Sequence, residues 1–269
     1  MFARLHTQQL TASGATPERW LYLLHGIFGA GRNWNAVSRR VIEARPEWGV
    51  VAVDLRGHGR SGPGDPPHTV EACADDLRHL PSTGTPPASA VLGHSFGGKV
   101  ATLFAVRSEL RSLWIADSTP SIRAPGGSAW QMIEALARHP GPFRDREEGI
   151  AAVRDEGFAD GVAQWMGTNL ERGADEAWRW RIDLALMRDL LLDFFDRDTW
   201  PALEATATKG TAVHLLRATE SSVISPDDVE RWEALATRGL PLVRTDLAAG
   251  HWMNADAPDA VADALVSGL

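Results

Sequence analysis

Val91-Leu92-Gly93-His94-Ser95-Phe96-Gly97-Gly98 is the stretch on which the reading of this chain turns. An apolar run, Ala88 to Leu92, leads into it, and a helical pattern, Lys99 to Val106, follows at once. A Gly-x-Ser-x-Gly pattern between a strand and a helix marks a sharp turn, a nucleophile elbow. The turn strains the backbone of Ser95 and lifts its hydroxyl above the sheet edge. Gly93 and Gly97 suit it because a Cβ at either place would collide with the neighbouring element.

Outward from the elbow, strands and helices alternate. Toward the N-terminus lie a short alternating strand, Phe2 to Gln9, and two apolar ones, Trp20 to Leu24 and Val50 to Val53. Continuous apolar runs of this length suit strands buried on both faces of a parallel sheet. A helix from Asn33 or Trp34 to Ala44 separates the latter two. Thr69 to Leu80 reads as a helix with Thr69 as N-cap. Beyond the elbow, Ser112 to Ala116 is a strand, and Thr211 to Arg217 and Leu240 to Thr245 follow much later. Ser225-Pro226 starts a helix that runs to about Thr237, and Pro258 to Ser267 closes the chain. The alternation predicts an α/β fold with a mostly parallel, doubly wound sheet. Ligands of such sheets bind beyond the carboxyl ends of the strands, where Gly26, Asp54, Ser95 and Asp117 all fall.

The rhythm breaks from Pro120 to Trp200, where helical patterns occur without a convincing strand. Ile182, Leu186, Leu190 and Phe194 form an i, i+4 stripe there. We expect an inserted helical cap at residues 120–200, between two parts of a core at 1–119 and 201–269. Most tryptophans of the insertion are expected in its own core. Trp130 and Trp165, together with Trp252 and His94, are the candidates for facing a pocket.

Composition narrows the function classes. The chain has 269 residues and a net charge of −8, so it lacks the basic footprint of a nucleic-acid partner. Cys73 is the only cysteine, which excludes an intrachain disulfide and a cysteine-rich metal site. Cys73 reads as a small core residue. No run reaches the roughly 18 apolar residues of a membrane span, and no secretory h-region is visible. A cytoplasmic location and no metal or cofactor are the expectations.

A serine hydroxyl needs a base within hydrogen-bond reach, commonly a histidine held by a carboxylate. Of 9 histidines, only His251 lies in a loop after the last strand. His94 is expected to point away from Ser95 into the packing of the elbow. His25 and His58 read as loop braces, and His6, His68, His79, His139 and His214 lack a suitable context.

At this point the chain resembles the α/β-hydrolase-fold serine hydrolases over nearly its whole length. Leu24-His25-Gly26-Ile27-Phe28-Gly29 resembles their His-Gly oxyanion loop, and Asp54-Leu55-Arg56-Gly57-His58-Gly59-Arg60-Ser61 their Asp-x-Arg-Gly-His-Gly-x-Ser segment. Gly93 to Gly98 resembles the elbow, and Gly250-His251 the histidine loop. Most of the family carry an acid in the loop that reads here Arg217-Ala218-Thr219-Glu220-Ser221-Ser222, and Ser222 stands where that Asp would be. A subset resembling small bacterial esterases and a mammalian abhydrolase relative takes its acid one strand earlier. Lys99 and Ile115-Ala116-Asp117-Ser118-Thr119-Pro120 look like that subset. Asp117 is therefore the first candidate for the acid and Glu220 the second. The resemblance implies oxyanion donors at the N–H of Phe96 and at that of Ile27 or Phe28. It implies hydrolysis of small-molecule carboxylic esters, and the apolar insertion and absence of a basic patch favour small or medium, rather apolar acyl groups. Thioesterase, lactonase, cofactor-free perhydrolase (haloperoxidase) and C–C hydrolase chemistry share the same triad. A non-catalytic receptor on the same fold is the alternative of another class.

Overall fold

The computed structural model describes residues 1–269. Its main sheet contains β1 (Thr7–Leu10), β2 (Arg19–Leu24), β3 (Trp48–Val53), β4 (Ala90–His94) and β5 (Ser112–Ala116). A small hairpin, β6 (Leu170–Arg172) and β7 (Trp178–Trp180), lies apart, and β8 (Ala212–Ala218) and β9 (Leu242–Leu247) return to the main sheet. The order is β1-β3-β2-β4-β5-β8-β9. Within this main sheet only the β1–β3 pair is antiparallel.

Successive residues of a strand point to opposite faces, and both faces here are covered. Tyr22, Leu24, Val51, Val53, Val91, Leu113 and Ile115 belong to one core. The helices α2 (Val70–His79) and α3 (Phe96–Ala105) pack on that side. Leu21, Leu23, Val50, Leu92 and Trp114 belong to a second core, under α1 (Asn35–Ala44) and α11 (Pro258–Gly268). This is why the strands read as continuous apolar runs rather than alternating ones. Every residue of α3 is buried, because α2 and α8 (Trp200–Thr208) cover it on the side away from the sheet.

Between β5 and β8 the chain leaves the sheet and forms α4 (Gly127–Arg138), α5 (Arg146–Asp155), α6 (Asp160–Met166), the hairpin, and α7 (Leu184–Asp196). After β8, α9 (Pro226–Thr237) carries Ser225 as its N-cap, in a reciprocal capping box with Asp228. A four-residue helix, α10 (Met253–Asp256), precedes α11. No helix is long and apolar enough to cross a membrane.

Two expectations about elements are corrected. The first strand is not Phe2 to Gln9 but Thr7–Leu10. The N–H of Ala3 goes to Asp76 at 2.8 Å and that of His6 to Ser61 at 2.8 Å, while the carbonyls of Arg4 and His6 accept from the N–H groups of Gly62 and Asp54 at 3.0 Å each, so side chains and loop backbone rather than a regular ladder hold the start of the chain. The insertion also contains strands. β6 and β7 pair over three residues each, too short for an alternating pattern to stand out.

Candidate active site

The elbow is built as its glycines require. Ser95 sits at φ 52°, ψ −119°, a backbone conformation that a side chain adopts only under strain. A Cβ on Gly93 would overlap the carbonyl of Gly97, and one on Gly97 would lie 2.6 Å from the His25 carbonyl oxygen. The Ser95 N–H is fixed to the Ala116 carbonyl at 3.0 Å, so the turn is locked to the neighbouring strand.

Asp117 follows β5 with a positive φ of 42°. Its N–H goes to the Leu216 carbonyl at 2.8 Å, and its carboxylate is wholly buried. Oδ2 lies 2.7 Å from His251 Nδ1, and Oδ1 accepts weakly from the Ala218 N–H at 3.4 Å. His251 Nε2 lies 3.1 Å from Ser95 Oγ. The three side chains therefore form one hydrogen-bonded line: a carboxylate, an imidazole with Nδ1 protonated, and a hydroxyl. Such a line can move a proton from the serine to Nε2 and neutralise the imidazolium that results. Glu220 is exposed at the outer rim, and no protein donor reaches its carboxylate. Ser221 and Ser222 line the same rim.

Backbone donors without a protein acceptor lie in the segments beside the serine. Phe96 opens α3, where the first N–H groups have no intrahelical acceptor. The N–H groups of Ile27 and Phe28 likewise go to no acceptor in the protein, and Phe28 is held at φ 63°. Asn169, in the insertion, donates its amide to the Phe28 carbonyl at 3.0 Å and so ties this loop from above. Nothing in a lone asparagine of a helical stretch marks that role in the sequence.

The remaining histidines brace loops. His25 Nδ1–H donates to the Gly26 carbonyl at 2.7 Å, and its Nε2 accepts the Leu55 N–H at 3.0 Å. Both bonds need the neutral ring, and burial pulls its pKa down to about 4. His58 Nδ1–H donates to the Arg56 carbonyl, and burial brings its pKa to about 3. His94 packs in the elbow but also donates Nε2–H to the His251 carbonyl at 2.7 Å. Burial, helped by the nearby His251, lowers its pKa to about 3. The Asp54–Ser61 segment is structural throughout. Asp54 accepts from the N–H groups of Gly31 and Arg60, and Arg56 pairs bidentately with buried Asp76 at 2.7 and 2.9 Å.

Lys99 has a role its sequence context does not disclose. It is 1% exposed, and Nζ donates to the carbonyls of Ser121, Phe194 and Arg197 at 2.8, 2.7 and 2.6 Å. The first lies in the leading stem of the insertion and the other two in the returning stem. Lys99 thus clasps both stems to the helix that carries Ser95, and burial draws its ammonium down to about 8.

A chamber of 70 Å³ opens at Ser95 and His251, between Phe28, Met132 and Trp165. A 340 Å³ cavity adjoins it under α6, and a 490 Å³ cleft lies on the other side along Arg123, Phe194 and Glu220. His94, Trp165 and Trp252 line the first two. Trp130 lines none of the three, which corrects its expected place. Its indole N–H goes to Glu134 and its ring meets Phe195 edge-on. Ser128, Ala129 and Met132, on the other face of α4, reach the chamber instead. Cys73 is buried, and no group of three or more His, Cys, Asp or Glu side chains is disposed to hold a metal ion.

A strained serine at a strand-to-helix turn, facing a histidine from the loop after β9, is matched by a family model described as the alpha/beta hydrolase family over residues 21–264. The chain belongs to the alpha/beta hydrolase family. Within it, the sn-1-specific diacylglycerol lipase ABHD11 of Mus musculus is 29% identical over 259 residues, covering 93% of this chain and 80% of that protein. Esterase YbfF of Escherichia coli is 25% identical, with 97% of each chain covered. The solved structure of a marine microorganism esterase superposes with a TM-score of 0.80 at 22% identity, covering 99% of both chains, and shares the alpha/beta hydrolase fold.

Proposed function

We propose that the protein is a serine hydrolase of small-molecule carboxylic esters, with Ser95, His251 and Asp117 as its catalytic triad and no cofactor. The observation that carries this reading is the unbroken hydrogen-bonded line from Asp117 through His251 to Ser95 at the strained elbow. Relatives named as esterases and lipases support it.

In this mechanism His251 Nε2 takes the Ser95 proton as Oγ attacks the acyl carbon. The carbonyl oxygen becomes an oxyanion held by the N–H of Phe96 and that of Ile27 or Phe28. As the tetrahedral intermediate collapses, the alcohol leaves with the proton from Nε2 and the acyl group stays on Oγ. Water, deprotonated by the same nitrogen, then releases the acid and restores Ser95. Asp117 keeps the proton on Nδ1 and stabilises the imidazolium in both halves. Residues 120–200 act as a cap over the core formed by 1–119 and 201–269. The apolar lining of the chamber favours small or medium, rather apolar acyl groups.

Hydrolysis of p-nitrophenyl acetate and butanoate by the wild type, Asp117→Asn and Glu220→Gln tests the assignment. The expected loss is on the order of a hundredfold or more in Asp117→Asn alone. Loss only in Glu220→Gln would move the acid to the loop after β8. No turnover in the wild type would favour a receptor.

A further inference from the structure

The chamber at Ser95 and the cavity beneath α6 are neighbours with a common wall. Five residues line both of them: Gly26, His94, Val162, Trp165 and Trp252. Gly26 and His94 belong to the braced core. A Cβ on Gly26 would lie 3.2 Å from His94 Nδ1, so this part of the wall is close-packed. The rest of the wall is Val162 and the indole pair of Trp165 and Trp252, whose ring centres lie 4.5 Å apart at 59°. Trp252 adjoins the candidate base, whereas Trp165 and Val162 come from α6 in the insertion. The chamber measures 70 Å³ and the cavity 340 Å³, so most of the space lies beyond this wall.

The cleft on the other side of Ser95 differs in chemistry. Arg123, Glu220, Ser221 and Ser222 line it. A departing alcohol, polar at its reacting end, fits that side, whereas the tryptophan-walled side fits a carbon chain.

We propose that Trp165, backed by Trp252, is the end wall of the acyl pocket and sets its length, so that short acyl chains are preferred to long ones. This rests on the ester-hydrolase reading above. Removing the indole joins the chamber to the cavity, which then accepts a longer chain. Each methylene that finds an apolar seat is worth roughly fourfold in kcat/KM.

The test measures kcat/KM for p-nitrophenyl esters from acetate to decanoate, and for acetate esters of alcohols of rising length. The wild type, Trp165→Ala and Val162→Phe are compared. We expect the wild type to fall at least tenfold from butanoate to octanoate. Trp165→Ala raises the octanoate-to-acetate ratio tenfold or more. Val162→Phe, which fills the same space, lowers butanoate relative to acetate. The alcohol series keeps its order in all three proteins. A Trp165→Ala enzyme that hydrolyses acetate with an unchanged ratio overturns the wall, and so does a shift confined to the alcohol series. If the wild type hydrolyses no ester, the hydrolase reading itself falls and the acyl wall with it.

Discussion

Lowering the pH from 7 to 5 should unfold this protein far more readily than its carboxylates alone would cause. His25, His58 and His94 are 2%, 4% and 2% exposed, and burial holds their pKa values at about 4, 3 and 3. In the unfolded chain each returns to about 6.5. The folded values lie below the unfolded ones, so the stability is whole above about pH 6.5. It is lost as pH falls from there toward 4, because the unfolded chain takes up protons that the fold refuses. At pH 5 each histidine stands about 1.5 units below its unfolded pKa, worth about 2 kcal/mol. Three of them give about 6 kcal/mol, against a total of roughly 5–15 kcal/mol for a typical fold. The rings of His25 and His58 lie 4.9 Å apart, so protonating one opposes protonating the other. The depressed carboxylates, such as Glu156 at about 2, begin to act only at lower pH. Urea unfolding followed by tryptophan fluorescence at half-unit steps gives the slope directly. We expect it to approach three protons near pH 5, about 4 kcal/mol per pH unit, and to drop by about a third in His58→Gln. A slope below one proton between pH 6 and 5 would refute the account.

Four further outcomes follow from packing. Lys99→Met removes all three bonds that clasp the stems and leaves their carbonyls to find water, so we expect about 3 kcal/mol less stability by urea unfolding, with KM for butanoate raised. Asp76→Ala strands the Arg56 guanidinium at 3% exposure, and calorimetry should register a loss of about 3–5 kcal/mol. Gly93→Ala drives a Cβ into the Gly97 carbonyl and should abolish soluble protein. Gly161→Ala in α6 meets nothing within 4 Å and should leave Tm unchanged or raise it by about 1–3 °C.

Much of this was legible in the chain itself, because local rules suffice for it. A strand buried on both faces must be apolar throughout, so Trp20–Leu24 and Val50–Val53 announce a parallel sheet before any contact is known. The elbow leaves room only for glycine at 93 and 97, so Ser95 stands out. His251 is the one histidine in a loop after the last strand, and Ser225-Pro226 with Asp228 spells a helix start that begins where expected.

The rest needed distances between residues far apart in sequence. Asp117 and Glu220 both follow strands, and those strands, β5 and β8, are neighbours. Either could have met His251 on sequence grounds. The bond from Asp117 N–H to Leu216 and the positive φ turn its carboxylate inward, while Glu220 is left at the rim. The partners of Lys99 are invisible in the sequence until the leading stem at Ser121 and the returning stem at Phe194 and Arg197, almost a hundred residues downstream, close around it. Asn169 meets Phe28 across 141 residues. Trp130 and Trp165 look alike in a helical stretch, yet the rotation of each helix about its axis, set by what the other face packs on, sends one to Phe195 and the other to the pocket. Sequence determines what local sterics and periodicity demand, and only the tertiary structure decides which distant groups share the site, because their partners come from chain segments that no local rule connects.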